Sequence, residues 1–166
     1  MPKRKPPTIL ALDPGLRELG FAVLSGRRLE ASGVHALRLL PPEKRLPETR
    51  RLIRAWIEAY QPTSLVIERT QRHPVKWLDA VHRLARSSRR VARGRHVSVA
   101  AYAPQTVRKS VTGDGWASKR ELAEAVVLKF PALRVYLTAD RRWKERYWLN
   151  MFDAVGLALH HQTVTA

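Results

Sequence analysis

Three acidic side chains interrupt stretches of this sequence that otherwise have the composition of a protein core. Asp13 follows the apolar run ILAL, Glu68 follows LVI, and Asp153 lies inside the segment LNMFDAVGLAL. A carboxylate in apolar surroundings costs free energy unless a hydrogen-bond donor or a cation accompanies it. These three acids are therefore the first candidates for chemistry in the chain.

Each acid on its own also has an ordinary structural explanation. Asp13 precedes Pro-Gly and could form an Asx turn. Glu68 could pair with Arg69 or Arg72, which follow it closely in the sequence. Asp153 could belong to an ion pair inside a helix. These explanations stay open for each acid taken alone.

Three such acids together indicate a metal site. Acids at the ends of neighbouring strands converge at one edge of a sheet, and a helix packed there can add a third. Carboxylates that share a pocket repel one another unless a cation is present. Oxygen ligands select hard cations such as Mg²⁺ or Mn²⁺, and two ions about 4 Å apart can promote phosphodiester hydrolysis. We therefore expect two Mg²⁺ or Mn²⁺ ions on Asp13, Glu68 and Asp153.

The overall charge indicates a polyanionic partner. The 166 residues include 31 Lys or Arg and 14 Asp or Glu, which gives a net charge of +17 and a pI near 11.4. Such an excess destabilises a compact chain through self-repulsion, and nucleic acid is the partner that best relieves it, ahead of anionic lipid. The chain has no cysteine and no long apolar run, so we expect a cytoplasmic protein without a membrane span.

The basic residues are concentrated in the middle of the chain. Eleven Lys or Arg and a single acid, Asp79, occur between Arg69 and Lys109. Five of the basic residues share helical spacing: Lys76, Arg83, Arg86, Arg90 and Arg93. This stripe is either a solvated helix face or a surface for nucleic acid or another partner.

Hydrophobic periodicity and turn residues predict an α/β domain with a mixed sheet. Residues 1–7 are predicted to be a basic, flexible arm and residues 8–166 a single domain. The predicted strands cover 8–12, 20–25, 29–39, 65–67 and 96–101, and the first three should form an antiparallel meander. The predicted helices cover 42–60, 74–93, 104–111, 118–130 and 147–161. Ser118 and Glu121 have the spacing of a capping box at the start of the fourth helix.

Four segments in this order resemble those of the RuvC-type Holliday junction resolvases, which have an RNase H-like fold. ILALDPGLRELGFAV resembles the first-strand motif, and LVIE at 65–68 resembles the second catalytic segment. The stretch 102–119 resembles the basic segment of the family, and DAVGLALHH at 153–161 resembles the last catalytic helix. The resemblance is collinear and spans nearly the whole chain.

The resemblance implies roles for several residues. Asp13, Glu68 and Asp153 correspond to metal ligands, and Arg108 and Lys119 to contacts with the phosphate or the transition state. It also implies a homodimer that brings two active sites to a four-way DNA junction. The expected DNA contacts are Arg69, Arg72, His73, Lys76, Arg108, Lys109 and Lys119.

Two positions depart from the family pattern. Asn150 stands three residues before Asp153, where the family often has another Asp or a His, and we expect its neutral amide oxygen to be a weaker metal ligand. The family also has a junction-wedging aromatic residue just after the Glu, where this chain has Arg69-Thr70-Gln71-Arg72. Trp77 is the nearest alternative, although a tryptophan is often a core or interface residue.

The expected function is that of a Mg²⁺- or Mn²⁺-dependent endonuclease that resolves Holliday junctions in DNA recombination and repair. Water would attack the phosphodiester directly, without a covalent enzyme intermediate. Two alternatives remain: a branched nucleic-acid-binding protein without catalysis, which Asn150 favours, and an RNase H-like nuclease acting on RNA or hybrids.

Overall fold

A five-stranded mixed sheet with helices on both faces organises the chain. The computed structural model describes residues 6–137 and 142–166. The strands are β1 (Thr8–Asp13), β2 (Glu18–Ser25), β3 (Arg28–Ala36), β4 (Ser64–Glu68) and β5 (Ser98–Tyr102). The α-helices are α1 (Pro42–Tyr60), α2 (Lys76–Gly94), α3 (Pro104–Thr112), α4 (Lys119–Lys129) and α5 (Arg142–Thr165). Short 3₁₀ helices cover Leu37–Leu39 and Pro131–Tyr136.

The strand order confirms the predicted fold class. The order across the sheet is β3-β2-β1-β4-β5. The pairs β1–β2 and β2–β3 are antiparallel, which is the predicted meander, whereas β1–β4 and β4–β5 are parallel. The central strand β1 is buried along its whole length because it has a strand on each side and helices over both faces.

The helices divide between the two faces of the sheet. Helices α1 and α2 cover one face, where Ile53 and Ala85 pack with Leu10 and Leu12 of β1. Helices α3, α4 and α5 cover the other face, where Phe152 packs with side chains that include Ile9 and Ala11. Alternate residues of β1 thus enter two separate cores, as the two-residue period of a strand requires.

Several predicted boundaries were wrong. Strand β2 begins at Glu18 rather than 20, and β5 begins at Ser98 rather than 96. The third strand ends at Ala36 rather than 39, because Leu37 turns into a 3₁₀ helix and is fully buried. Helix α2 begins at Lys76 rather than 74, with Val75 in extended backbone as its N-cap. The last helix begins at Arg142, not near 147, and continues to Thr165.

Two further predictions concern the basic N-terminal arm and the absence of a membrane span. Residues 1–5 of the predicted basic arm lie outside the described residues. Within the ranges that the structure describes, no helix is both long and apolar enough to cross a membrane.

One glycine controls how closely α5 approaches the sheet. Gly20 of β2 lies opposite Asp13 of β1 in the antiparallel register. A Cβ atom added to Gly20 would overlap the backbone carbonyl of Asn150 in α5. The absent side chain therefore lets the segment of α5 that carries Asn150 and Asp153 pack directly against the strands.

We expect Gly20→Ala to destabilise the protein by about 2–3 kcal/mol, because the methyl group pushes α5 away from β2. For a domain of this size, that corresponds to a fall in Tm of roughly 5–10 °C, measured by circular dichroism in EDTA. Gly94→Ala is the control, since no atom lies within 4 Å of the added Cβ at that helix end. Equal Tm values for Gly20→Ala and wild type would contradict the close approach.

Candidate active site

The predicted carboxylates come together at one end of the sheet. Asp13 is the last residue of β1 and Glu68 the last residue of β4. The two strands are parallel neighbours in which Leu12 pairs with Ile67, so the register brings the next residue of each strand side by side. Asp153 of α5 reaches the same edge from the helix, and repulsion from Asp153 acts on both strand-end acids.

Lys119 provides a positive charge within this cluster. Its ammonium Nζ donates a hydrogen bond to Asp153 Oδ2 at 2.7 Å. Ser118 and Glu121 form the predicted capping box, which fixes the first turn of α4. Lys119 is the first residue of that helix, so the cap determines where its side chain starts.

Asp13 is the most strongly perturbed acid of the cluster. Its residue is only 8% exposed, and its carboxylate has no hydrogen-bond partner in the described part of the chain. Burial raises its pKa well above the ordinary 3.8, and repulsion from Asp153 and Glu68 raises it further. Attraction to Lys119 opposes these effects without cancelling them.

The pKa of Glu68 is raised as well. Burial is the main cause, and repulsion from Asp153 adds to it. Lys119 and Arg108 act in the opposite direction, which places the Arg108 guanidinium within electrostatic reach of the cluster. Glu68, Arg108 and Asp153 line a common small cleft with apolar side chains of α3, α4 and α5.

Lys119 keeps its charge in this environment. Burial alone lowers its pKa, but attraction and hydrogen bonding to Asp153, together with attraction to Asp13 and Glu68, outweigh that effect, and the net shift is upward. The Lys119 side chain is 47% exposed, so it is partly open to solvent. Lys119 and Arg108 together do not offset the burial and mutual repulsion of the carboxylates, since the pKa values of Asp13 and Glu68 remain raised.

The donor set fits a hard cation. All three acids offer carboxylate oxygens, and two of them have raised pKa values that a nearby cation would lower. As the side chains stand, with Lys119 on Asp153, no three His, Asp or Glu residues in the described ranges are close enough to hold a metal ion. The Lys119 ammonium is bonded to Asp153 Oδ2, so this oxygen is not available to a cation while that hydrogen bond is in place.

Asn150 lies next to the cluster through its backbone. Its carbonyl faces Gly20, the strand partner of Asp13. It also stands three residues before Asp153, so both side chains project from one side of α5. Its assignment as a weak ligand remains a prediction.

The predicted DNA contacts flank the carboxylate edge. Arg69 directly follows β4 and donates from Nη2 to the Ala101 carbonyl at 3.4 Å, and His73 Nδ1 accepts from the Val75 N–H at 3.0 Å. Arg72, Lys76 and Lys109 are exposed. Arg72 is 4.0 Å from Asp79, a weak contact that leaves it available to another partner.

The loop before α4 exposes an aromatic side chain that sequence reasoning did not assign. Gly113 takes a positive φ of 88° and ends α3, and Asp114 Oδ1 accepts from the Trp116 N–H at 2.9 Å. Trp116 is 85% exposed, although the neighbouring Ala117 is buried. Its position three residues before Lys119 was visible in the sequence, but its exposure was not.

We expect Asp13→Asn to raise the Tm of the metal-free protein by about 2 °C or more, because it removes a buried charge that lacks compensation. The pKa of Asp13 is raised in the folded state, so ionisation of this carboxyl group destabilises the fold. The destabilisation is complete at pH values above the folded pKa and absent at pH values below the unfolded pKa. The gain in Tm should therefore be present at pH 7 and disappear towards pH 4. Thermal unfolding in EDTA across this pH range measures it.

Asp153→Asn is the matched comparison for that experiment. It removes the same charge but also the partner of Lys119, so it should give no comparable gain in Tm. Added Mg²⁺ should raise the Tm of wild type more than that of Asp13→Asn. A lower Tm for Asp13→Asn at pH 7 would mean that Asp13 stabilises the fold.

Comparisons with known proteins identify the family of the chain. Residues 9–140 match the family model described as "Crossover junction endodeoxyribonuclease RuvC". This range includes Asp13, Glu68, Arg108 and Lys119 and ends before Asp153. A protein of that name from Nocardioides sp. is 31% identical over 125 residues, covering 71% of this chain and 71% of the relative. Another, from Mycobacterium ulcerans, is 28% identical over 160 residues, covering 92% of this chain and 82% of the relative.

A solved structure has the same fold. The structure titled "T. thermophilus RuvC in complex with Holliday junction substrate" superposes with a TM-score of 0.75 at 22% identity, covering 95% of this chain and 94% of that chain. The family model spans most of the chain, and the relative from Mycobacterium ulcerans aligns with 92% of it. The chain therefore belongs to the RuvC family.

Proposed function

We propose that this protein is a metal-dependent endonuclease that cuts Holliday junctions by hydrolysing phosphodiester bonds. The observation that carries the proposal is the cluster of Asp13, Glu68 and Asp153 around Lys119, in a chain of the RuvC family. Buried carboxylates with too little positive charge beside them lower the stability of the unliganded fold. Such a cluster is useful where cations and a phosphate group must be brought together.

Asp13, Glu68 and Asp153 are the proposed ligands of Mg²⁺ or Mn²⁺, with two ions per site, and the Asn150 amide oxygen is a further, weaker ligand. Ions of this kind lower the pKa of bound water and stabilise charge on the leaving oxygen. The rigid strand ends hold two of the ligands, and the close contact of α5 with Gly20 holds the helix that bears the others.

Lys119 and Arg108 are the proposed contacts to the scissile phosphate. Both side chains already act on the carboxylates electrostatically, so both are within reach of a phosphate held at that edge. When the carboxylates are otherwise neutralised, the Lys119 ammonium can turn from Asp153 to the phosphate. It would then stabilise the negative charge that develops during hydrolysis.

The basic side chains around the site are the proposed contacts to the DNA backbone: Arg69, Arg72, His73, Lys76 and Lys109. The exposed indole of Trp116 offers a stacking surface for an unpaired base next to Lys119. The proposal includes a homodimer, because resolution of a four-way junction needs two symmetrical cuts, one in each of two of its four strands.

One experiment separates this function from its alternatives. The protein is incubated with a synthetic four-way junction, the matching duplex and an RNA–DNA hybrid, each in Mg²⁺, Mn²⁺ or EDTA. We expect paired, metal-dependent nicks in the junction alone. Junction binding without cleavage in any metal would support the non-catalytic alternative, and cleavage of the hybrid would support the RNase H-like one.

In the same assay, Asp13→Asn, Glu68→Gln and Asp153→Asn should each lower the cleavage rate at least about 1000-fold while junction binding survives. Each change removes an anionic ligand, keeps the side-chain shape and lessens repulsion of phosphate. Glu58→Gln is the control, because Glu58 is exposed on α1. A wild-type rate for any of the three variants would remove that residue from the site.

Lys119→Ala should lower the single-turnover rate about 10- to 100-fold and change junction affinity by less than about threefold. The protein has 31 basic residues, so one lost charge matters little for binding. Lys129→Ala removes the same charge at the other end of α4 and should leave the rate unchanged. A large loss of affinity with an unchanged rate would assign Lys119 to DNA binding instead.

A further inference from the structure

A strongly basic cavity lies between α1 and α2, away from the carboxylate cluster. It has a volume of about 410 Å³ and is lined by four arginines together with Ser87, Val91 and Gly94. The arginines are Arg50 and Arg54 of α1, Arg90 of α2, and Arg95 directly after α2. Among residues 6–137 and 146–166, no acidic side chain lines the cavity.

The cavity is on the opposite face of the sheet from α5. Helices α1 and α2 pack on one face, whereas α5, which carries Asp153, packs on the other. The cavity is also far from the carboxylate end, because α2 follows β4 and runs back towards the start of β5. At about 1.5 Å per residue, Arg90 lies roughly 20 Å along α2 from Lys76.

The four guanidinium groups are poorly compensated. In the described part of the chain, none of them is within 4.0 Å of a carboxylate oxygen. Arg50 is held in place, since its Nε donates to Ser87 Oγ at 2.7 Å, and Ser87 is only 8% exposed. Four like charges around one concavity repel one another, so the fold alone gains nothing from them.

A phosphate group is the ligand that best matches four guanidinium groups around one cavity. The planar guanidinium group makes two parallel hydrogen bonds to a phosphate, and arginine is the residue best suited to that geometry. The cavity volume is more than ten times the roughly 30 Å³ of one water molecule, which leaves room for phosphate groups. Arginines from two helices can approach such a ligand from both sides.

We propose that the cavity lined by Arg50, Arg54, Arg90 and Arg95 is a second phosphate-binding site of this protein. Its phosphate can come from the backbone of a DNA arm or from a free oligophosphate. The basic stripe on α2 (Lys76, Arg83, Arg86, Arg90 and Arg93) is exposed and links the carboxylate end to the cavity. The DNA source rests on the proposed function, whereas the free oligophosphate source does not.

Binding of inorganic tripolyphosphate, measured by calorimetry in EDTA, tests the site directly. The Arg54→Gln/Arg90→Gln double variant should bind it at least fivefold more weakly than wild type. The matched control is Arg86→Gln/Arg93→Gln, which removes the same charge from exposed positions of α2 outside the cavity and should bind like wild type. Equal affinities for both double variants, or no binding to wild type, would overturn the proposal.

Thermal unfolding without phosphate checks that the cavity variant is folded. Relief of repulsion predicts that Arg54→Gln/Arg90→Gln is at least as stable as wild type at low salt. A lower Tm would mean that these arginines hold α1 and α2 together, and it would count against the proposal.

Junctions with arms of about 5 and about 20 base pairs, each arm closed by a hairpin loop, distinguish the two phosphate sources. At about 3.4 Å per base pair the short arm extends about 17 Å, less than the roughly 20 Å between Lys76 and Arg90, whereas the long arm extends about 70 Å. Binding is measured in EDTA. If a DNA arm occupies the cavity, wild type binds the long-arm junction about tenfold more tightly than the short-arm one, and the cavity variant loses this gain. If tripolyphosphate binds and the arm length has no effect, the site stands with a free oligophosphate as its ligand.

Cleavage of the short-arm junction in Mg²⁺ separates this proposal from the proposed function. The cavity variant should cut that junction at the wild-type rate, because its substitutions are on the other face of the sheet. If wild type cuts no junction, the proposed function fails, and the tripolyphosphate result still decides whether the cavity binds phosphate.

Discussion

Mutual repulsion among three carboxylates at one end of a buried strand is the constraint that the rest of this structure accommodates. Asp13 is held there because β1 is paired on both sides and covered on both faces. Gly20 leaves the space in which α5 brings Asp153 to the same point. The capping box of α4 then directs one ammonium group, that of Lys119, into the cluster. The pairing of β1, the contact of α5 with Gly20 and the cap of α4 therefore hold together a group of like charges that repel one another.

The charge distribution follows the same logic on a larger scale. A protein with a net charge of +17 collects negative charge in one recess and keeps its positive charge on the surface. In the proposed function, a phosphate group is attracted by the basic surface and repelled by the carboxylates, and a cation bound to the carboxylates would remove that repulsion. Lys119 and Arg108, which adjoin the carboxylates, are the part of the basic surface that can follow the phosphate there.

Local sequence signals predicted the parts of the structure that depend on local physics. The apolar runs before Asp13 and Glu68 marked two strand ends, and the spacing of Ser118 and Glu121 marked the start of α4. The contact of Gly20 with Asn150 could not be predicted, because it depends on how closely a helix packs on a strand far away in the chain. The same holds for the bond between Lys119 and Asp153, whose residues are 34 apart.

The two charged clusters are thermodynamically similar although their signs are opposite. The carboxylates at the end of β1 and the arginines between α1 and α2 both raise the free energy of the unliganded fold through repulsion, and both are relieved by ions of the opposite sign. A ligand that binds only the folded state stabilises it. Cation and phosphate should therefore bind cooperatively at the carboxylate end, because each reduces the repulsion that the other meets, and this coupling is reciprocal. Under both proposals, repulsion lowers the stability of the unliganded fold at the two positions where a bound ligand would raise it again.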